Sequence, residues 1–125
     1  MSDFIGCIIL ESLADESVMS RFVIEEALDC KAPEGDANPI WRERLIRIPE
    51  GDGEKSAALL AAAMREGYYS HFFDDRSLYV IFKARYFKLP KNAGPEWDAM
   101  VTFGETVGVT ARYTRDIPMT RDKLL

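Results

Sequence analysis

The sequence predicts an α+β fold, in which a ferredoxin-like, antiparallel-rich sheet has two helices on one face and one or two extra N-terminal strands. The 125 residues, 47% hydrophobic and 30% charged, suit a single domain over 1–125 with one core. Short apolar or alternating runs are typical of strands, and two other segments carry helix start and stop signals. From Trp41 onward, the predicted order is strand, helix, strand, strand, helix and strand, as in ferredoxin-like proteins.

The first predicted strand lies in the middle of the sheet. Phe4 to Leu10 is a continuous apolar run rich in β-branched residues, which is typical of a strand buried on both faces. The next segment has two interpretations: a helix from Ala14 to Leu28, or a loop followed by a strand from Arg21 to Cys30. Val23 and Ile24 fit a pleated surface better than a helix, so we favour the strand.

A loop separates this segment from a strand with clear alternation. Lys31 to Pro39 contains two prolines, a glycine, Asp and Asn, which indicates a loop. The following run, which ends at Pro49, is predicted to be a strand whose two ends differ in exposure. Alternation places one set of side chains on one side, Trp41, Glu43 and Leu45, and a second set on the other, Arg42, Arg44, Ile46 and Ile48.

Two helices are predicted from their termini and composition. Asp52 is a suitable N-cap for a helix from about Gly53 to Glu66, whose alanines allow close approach to a sheet. Pro95 and Gly108 bound the second helix. A glycine inside a helix costs about 1 kcal/mol relative to alanine, so Gly104 should have a packing role. Val109 to Tyr113 is predicted to be a last short strand, followed by a tail at 115–125.

The segment from Gly67 to Phe87 contains eight of the fourteen aromatic residues and the single histidine, His71. Its Asp-Asp-Arg-Ser sequence at 74–77 predicts a hairpin turn. Either loop length gives the same facing pairs: Phe73 with Leu78, Phe72 with Tyr79, His71 with Val80, Ser70 with Ile81, and Tyr69 with Phe82. One face would then carry Tyr69, His71 and Phe73 over the core, whereas the other would carry Phe72, Tyr79 and Ile81. The second strand of the hairpin would continue through Ala84 to Phe87.

Phe72, Tyr79 and Ile81 are therefore candidate interface residues. In water they would form an apolar patch of the kind that marks a binding surface. Cover by a second subunit and cover by the chain's own first strands are both open at this point. We expect a homodimer, since sheets with one open face commonly pair by symmetry.

His71 is the candidate catalytic residue, with Tyr69 or Tyr68 as a proton donor. The imidazole pKa lies nearest neutrality among side chains. Catalysis also needs a nucleophile and an orienting carboxylate, and no such set is apparent around His71 in the sequence. A structural histidine on an apolar face is the favoured interpretation.

Composition disfavours several other functions. The net charge of −5 and the pI near 4.9 oppose nucleic-acid binding. No apolar run reaches the ~18 residues of a membrane span, and the acidic start argues against a secretory signal, so we expect a cytoplasmic protein. One histidine with two distant cysteines, Cys7 and Cys30, makes no standard metal set. We expect no metal or cofactor, and both cysteines to be small buried hydrophobes.

Much of the chain resembles a group of small uncharacterised prokaryotic α+β proteins. The resemblance runs from Ile8 to about Val109 and includes IILES, WRERLIRIP, the alanine-rich helix, EGYYSHFFDDRSLYVIFKARYFKLP and an EW…FGETVGV helix. It implies a strand near Phe22 to Leu28. These motifs are patterns of hydrophobic and turn residues, and the group has no assigned activity. The resemblance also implies a variable polar or acidic residue at the position of His71, which disfavours catalysis there.

The sequence thus predicts a small cytoplasmic, non-enzymatic module that homodimerises and binds a partner or small ligand. The alternative is a small hydrolase- or isomerase-type enzyme that uses His71 and a neighbouring tyrosine.

Overall fold

The α+β class is confirmed by a computed structural model, which describes residues 3–92, 94–115, 117 and 119. Six antiparallel strands form one sheet: β1 (Phe4–Ile9), β2 (Val23–Lys31), β3 (Ile40–Ile48), β4 (Ser70–Phe73), β5 (Ser77–Phe82) and β6 (Arg85–Pro90). Their order is β2-β3-β1-β4-β5-β6. Three helices are described: α1 (Gly53–Ala63), α2 (Pro95–Thr106) and α3 (Ala111–Thr114). Short 3₁₀ segments occupy Leu10–Ser12, Glu16–Arg21 and Glu50–Asp52.

The central position predicted for the first strand is confirmed. β1 pairs with β3 on one side and with β4 on the other. Gly6 allows the close approach of β1 and β4, because a Cβ atom there would lie 2.5 Å from the backbone oxygen of His71. A larger residue at this position would therefore disturb the packing of β1 against β4.

The strand interpretation of the second segment is also confirmed. β2 pairs with β3 along its length, whereas the alternative helix from Ala14 to Leu28 is not present. β2 lies at one end of the sheet order, and Val23, Ile24 and Leu28 on it are exposed. Branched residues at these positions favour the extended backbone even without deep burial.

The predicted hairpin register is confirmed for four of its five pairs, from Ser70 with Ile81 to Phe73 with Leu78. The Asp74 carboxylate accepts hydrogen bonds from the backbone N–H groups of Arg76 and Ser77 and so stabilises the turn. The second strand is shorter than the sequence indicated, because Ala84 has a φ of 65° and reverses the chain into β6.

The prediction that both helices lie on one face is wrong. α1 packs on the face that carries Ile46, Phe72 and Ile81, and α2 packs on the face that carries Val80 and Phe82. The residues of β4 and nearly all of those of β5 are buried. Because both faces of these strands are apolar, a helix must pack on each face to shield it from water.

The ferredoxin-like order is not observed either. β1 lies between β3 and β4, and the segment predicted as a last strand at Val109 to Tyr113 instead contains α3. Most of the predicted tail at 115–125 lies outside the described residues. The packing role expected for Gly104 is confirmed, since a Cβ there would lie 3.1 Å from the Phe82 ring. None of the described helices has the length and apolar character needed to cross a membrane.

Candidate functional site

A cleft of about 580 Å³ opens on the α2 side of the sheet. The floor comes from β1, β3 and the residues that enter β4, and the two walls come from the 33–36 loop and the 108–113 segment. Leu28, on the same face of β2, is 43% exposed, which shows that the helices leave this end of the sheet open. The cleft is thus the region of the sheet face that the α2 helix does not reach.

Strand register places the floor side chains together. Cys7 pairs with Leu45 on one side and with His71 on the other, and Glu43 pairs with Ile9. Because paired residues in antiparallel strands share a face, these side chains and Trp41 point the same way. The floor therefore combines an imidazole, a thiol, a carboxylate and an indole from three strands.

The first wall is the acidic loop at 33–36, which Tyr68 holds in place. The Tyr68 hydroxyl donates to the Asp36 carboxylate, 3.2 Å to Oδ2, and accepts from the Asn38 side-chain amide at 3.4 Å. Burial and the Asp36 carboxylate raise the pKa of Tyr68, so the hydroxyl stays a donor at neutral pH. The loop is consequently tied to the segment that leads into β4.

The second wall contains Gly108, Val109, Thr110 and Tyr113, between the end of α2 and α3. Gly108 has a φ of 86°, and a Cβ on it would lie 3.5 Å from the Cα of Gly67. The Tyr69 hydroxyl donates to the backbone oxygen of Tyr113 at 3.3 Å, which links this wall to the floor. Both walls are therefore connected to the sheet through tyrosine hydroxyls.

His71 is 6% exposed, at the junction of the cleft and the core. Its ring is stacked with Phe73, with centroids 6.2 Å apart and planes 15° apart, and Tyr69 lies on its other side at 6.1 Å. The prediction that His71 lies on an apolar face between Tyr69 and Phe73 is thus confirmed. Its edge nonetheless contributes to the cleft lining.

The Cys7 thiol is a poor nucleophile despite lying next to His71. Burial, followed by the charge of Glu43, raises the pKa of Cys7 to about 12. Thiols react as thiolates, and almost none forms at neutral pH with such a pKa. The neighbouring Cys30 also has a raised pKa, because of burial and the Glu43 carboxylate. Neither thiol has the electropositive surroundings of a reactive cysteine.

The Trp41 indole N–H is a buried donor without an acceptor among the residues that the structure describes. Trp41 lines the cleft from β3. Buried polar groups are hydrogen-bonded in most proteins, so this unsatisfied donor calls for a partner such as a water molecule or a bound group.

The three tyrosine and histidine residues considered for catalysis, Tyr68, Tyr69 and His71, all line this cleft. The candidate interface residues do not. Phe72 is 0%, Tyr79 2% and Ile81 0% exposed, on the opposite face beneath α1. Phe72 stacks on Tyr79, with ring centroids 4.7 Å apart, and the chain's own helix covers both. This face is core, and the reason to expect a subunit contact on it is removed.

Sequence reasoning missed Cys7, Trp41, Glu43 and the two wall segments as parts of one site. The alternation of β3 correctly placed Trp41 and Glu43 on one side. Alternation within β3 does not indicate which strand pairs with β3. That strand is β1, and β1 also pairs with β4, which contains His71.

Comparisons with protein-family models, curated proteins and solved structures find no match for the chain. The resemblance to small prokaryotic α+β proteins therefore stays a prediction. Within the described residues, no group of three or more His, Cys, Asp or Glu is arranged to hold a metal ion. The geometry of the cleft is the basis for a functional assignment.

Proposed function

We propose that this chain is a cytoplasmic, non-enzymatic protein that binds a small organic molecule in the cleft. The observation that carries the proposal is a concave site of about 580 Å³, lined by aromatic side chains and by a few polar groups that face inward. Clefts of roughly 300–1,000 Å³ with this composition are typical of small-molecule sites. The buried indole donor of Trp41 gives such a molecule a specific partner.

An enzymatic role for His71 is the second candidate, because His71 lies in the cleft beside Tyr69. Two features disfavour it. The Tyr69 hydroxyl already donates to the Tyr113 backbone, and the Cys7 thiol stays protonated at neutral pH. A His71→Gln variant distinguishes the roles, since it should keep ligand binding and, if the site were catalytic, should abolish turnover of a bound compound.

Fragment binding followed by NMR tests the proposed function. The indole N–H signals of Trp41 and Trp97 are reporters, and a Trp41→Phe variant assigns them. A ligand in the cleft should shift the Trp41 signal. The Trp97 signal should stay unchanged, because the Trp97 indole donates to the Pro90 backbone oxygen within the core.

A blocking variant adds a control for the site. Thr110→Trp places a large side chain on the exposed second wall and should abolish the shift. Thr102→Trp, at an exposed position on α2 outside the cleft, should not. A fragment set that moves no Trp41 signal, or that binds equally well to Thr110→Trp, would refute the proposal.

We also propose that the chain forms a homodimer, through β2 instead of the buried hairpin face. Val23 and Ile24 are 59% and 46% exposed on this nine-residue strand at the end of the sheet order. Exposed apolar edge strands pair readily with another copy. Glu25 and Asp29, which would repel across a two-fold axis, are ion-paired with arginines of β3.

Sedimentation equilibrium tests the dimer. The wild-type chain should sediment as a dimer, and Ile24→Lys should sediment as a monomer with an unchanged far-ultraviolet spectrum. A wild-type monomer at micromolar concentration contradicts this part of the proposal.

A further inference from the structure

The charged side chains that line the cleft are all acidic. Three carboxylates line it, Glu34 and Asp36 on the first wall and Glu43 on the floor, and its lining contains no lysine or arginine. None of the three forms an ion pair with another described residue. Two basic groups lie close by without lining the cleft: the exposed Arg112 guanidinium is 5.5 Å from the ring centroid of Tyr113, and Arg44 donates to the Glu43 backbone oxygen at 2.9 Å. The interior of the cleft therefore repels anions and attracts cations.

The aromatic side chains that line the cleft also favour a cation over an anion. Trp41, Tyr68, Tyr69 and Tyr113 surround the space, together with the apolar side chains of Ile9 and Val109. The face of an aromatic ring carries negative electrostatic potential and attracts an ammonium group within about 6 Å. The same rings bury an apolar or aromatic ligand body well. Aromatic walls and acidic groups together are the usual surroundings of a bound organic cation.

Two polar groups on β3 set the orientation of such a ligand. The Glu43 carboxylate interacts with the Cys30 thiol, a weak donor, and keeps acceptor sites for an ammonium group. The Trp41 indole offers its unpartnered N–H two residues away on the same side of the strand. The Glu43 carboxylate can therefore accept from an ammonium group while the Trp41 ring lies beside the rest of the ligand.

From these observations we infer that the cleft binds a small organic amine, with its ammonium group at Glu43 and its apolar body against Trp41 and Tyr69. The inference rests on the proposed function and specifies its ligand class. Glu34 and Asp36 add to the attraction from the first wall. The ligand remains non-covalently bound and no chemical step is involved.

A matched series of probes tests the ligand class: 2-phenylethylamine, 2-phenylethanol and 3-phenylpropionate. They share a phenyl ring and a two-carbon linker and differ mainly in charge. NMR titration through the Trp41 indole signal measures each dissociation constant. The amine should bind roughly ten-fold more tightly than the alcohol, as expected for one partly buried charge pair, and the carboxylate should bind most weakly.

Variants of individual carboxylates test which of them binds the ammonium group. Glu43→Gln should bring the amine and the alcohol to within about two-fold of each other, whereas Glu105→Gln, at an exposed position on α2, should leave the preference unchanged. Glu34→Gln is a second variant on an exposed loop, where a change cannot disturb the sheet. It should reduce the preference by less than about two-fold.

The outcomes separate the two proposals. Equal or tighter binding of the alcohol or the carboxylate overturns the amine assignment and leaves small-molecule binding intact. If none of the three probes shifts the Trp41 signal but members of the fragment set do, the amine assignment is overturned and small-molecule binding stands. If the fragment set also moves no Trp41 signal, both proposals are overturned. An amine preference that persists in both Glu43→Gln and Glu34→Gln overturns the assignment of the cation to these carboxylates.

Discussion

The buried Cys7 thiol should make the protein lose stability in alkaline solution. Burial, the Glu43 carboxylate and Cys30 raise the pKa of this thiol from 9.0 to about 12 in the folded chain. In the unfolded chain the thiol ionises near pH 9, so unfolding releases a proton at any pH between these two values. The stabilisation is fully present below pH 9 and is lost as the pH rises toward 12. The loss should be about 1.4 kcal/mol at pH 10 and about 4 kcal/mol at pH 12.

Urea denaturation of the wild type and of Cys7→Ala measures this effect. Other groups titrate in both proteins, so the difference between them isolates Cys7. The stability advantage of the wild type over Cys7→Ala should shrink by about 1.4 kcal/mol between pH 8 and pH 10. A thiol reagent at pH 8 should also modify Cys30, at the edge strand, before Cys7. Parallel pH profiles for the two proteins would show that Cys7 is solvated and would refute the reasoning.

Three further changes test the fold, each by urea denaturation. Gly6→Ala should lower the free energy of unfolding by about 3 kcal/mol, because the new Cβ meets the His71 backbone oxygen at 2.5 Å. Ala84→Gly should raise it by about 1 kcal/mol, since φ is 65° at this turn. Glu11→Gln should flatten the loss of stability below pH 4.5. Burial raises the pKa of Glu11, but hydrogen bonds from Arg42 outweigh it and lower that pKa. An effect of opposite sign contradicts each prediction.

Local patterns predicted the first three strands and the hairpin register well, but not the strand expected at Val109 to Tyr113, which contains α3. Alternation and turn chemistry act over a few residues, so the pairing of Phe73 with Leu78 and the extended conformation of Val23 and Ile24 follow from short stretches of sequence. The break at Ala84 was missed, because alanine gives no signal for a left-handed turn.

The sheet order and the cleft depend on long-range contacts that short patterns do not encode. Cys7 lies between Leu45 and His71, and both partners are far from it in the sequence. The sequence could have predicted the burial of Phe72 and Tyr79 under α1, because both faces of their strands are apolar. Cover by a second subunit and cover by the chain's own first strands were both left open, whereas α1 covers that face and α2 covers the opposite one.

A crystal structure of the protein with 2-phenylethylamine tests the central claim most directly. The amine should lie within hydrogen-bond distance of the Glu43 carboxylate, with the phenyl ring against Trp41 and Tyr69, inside the cleft between the 33–36 loop and the 108–113 segment. An empty cleft in crystals saturated with the amine, or an amine bound only outside it, would contradict the claim.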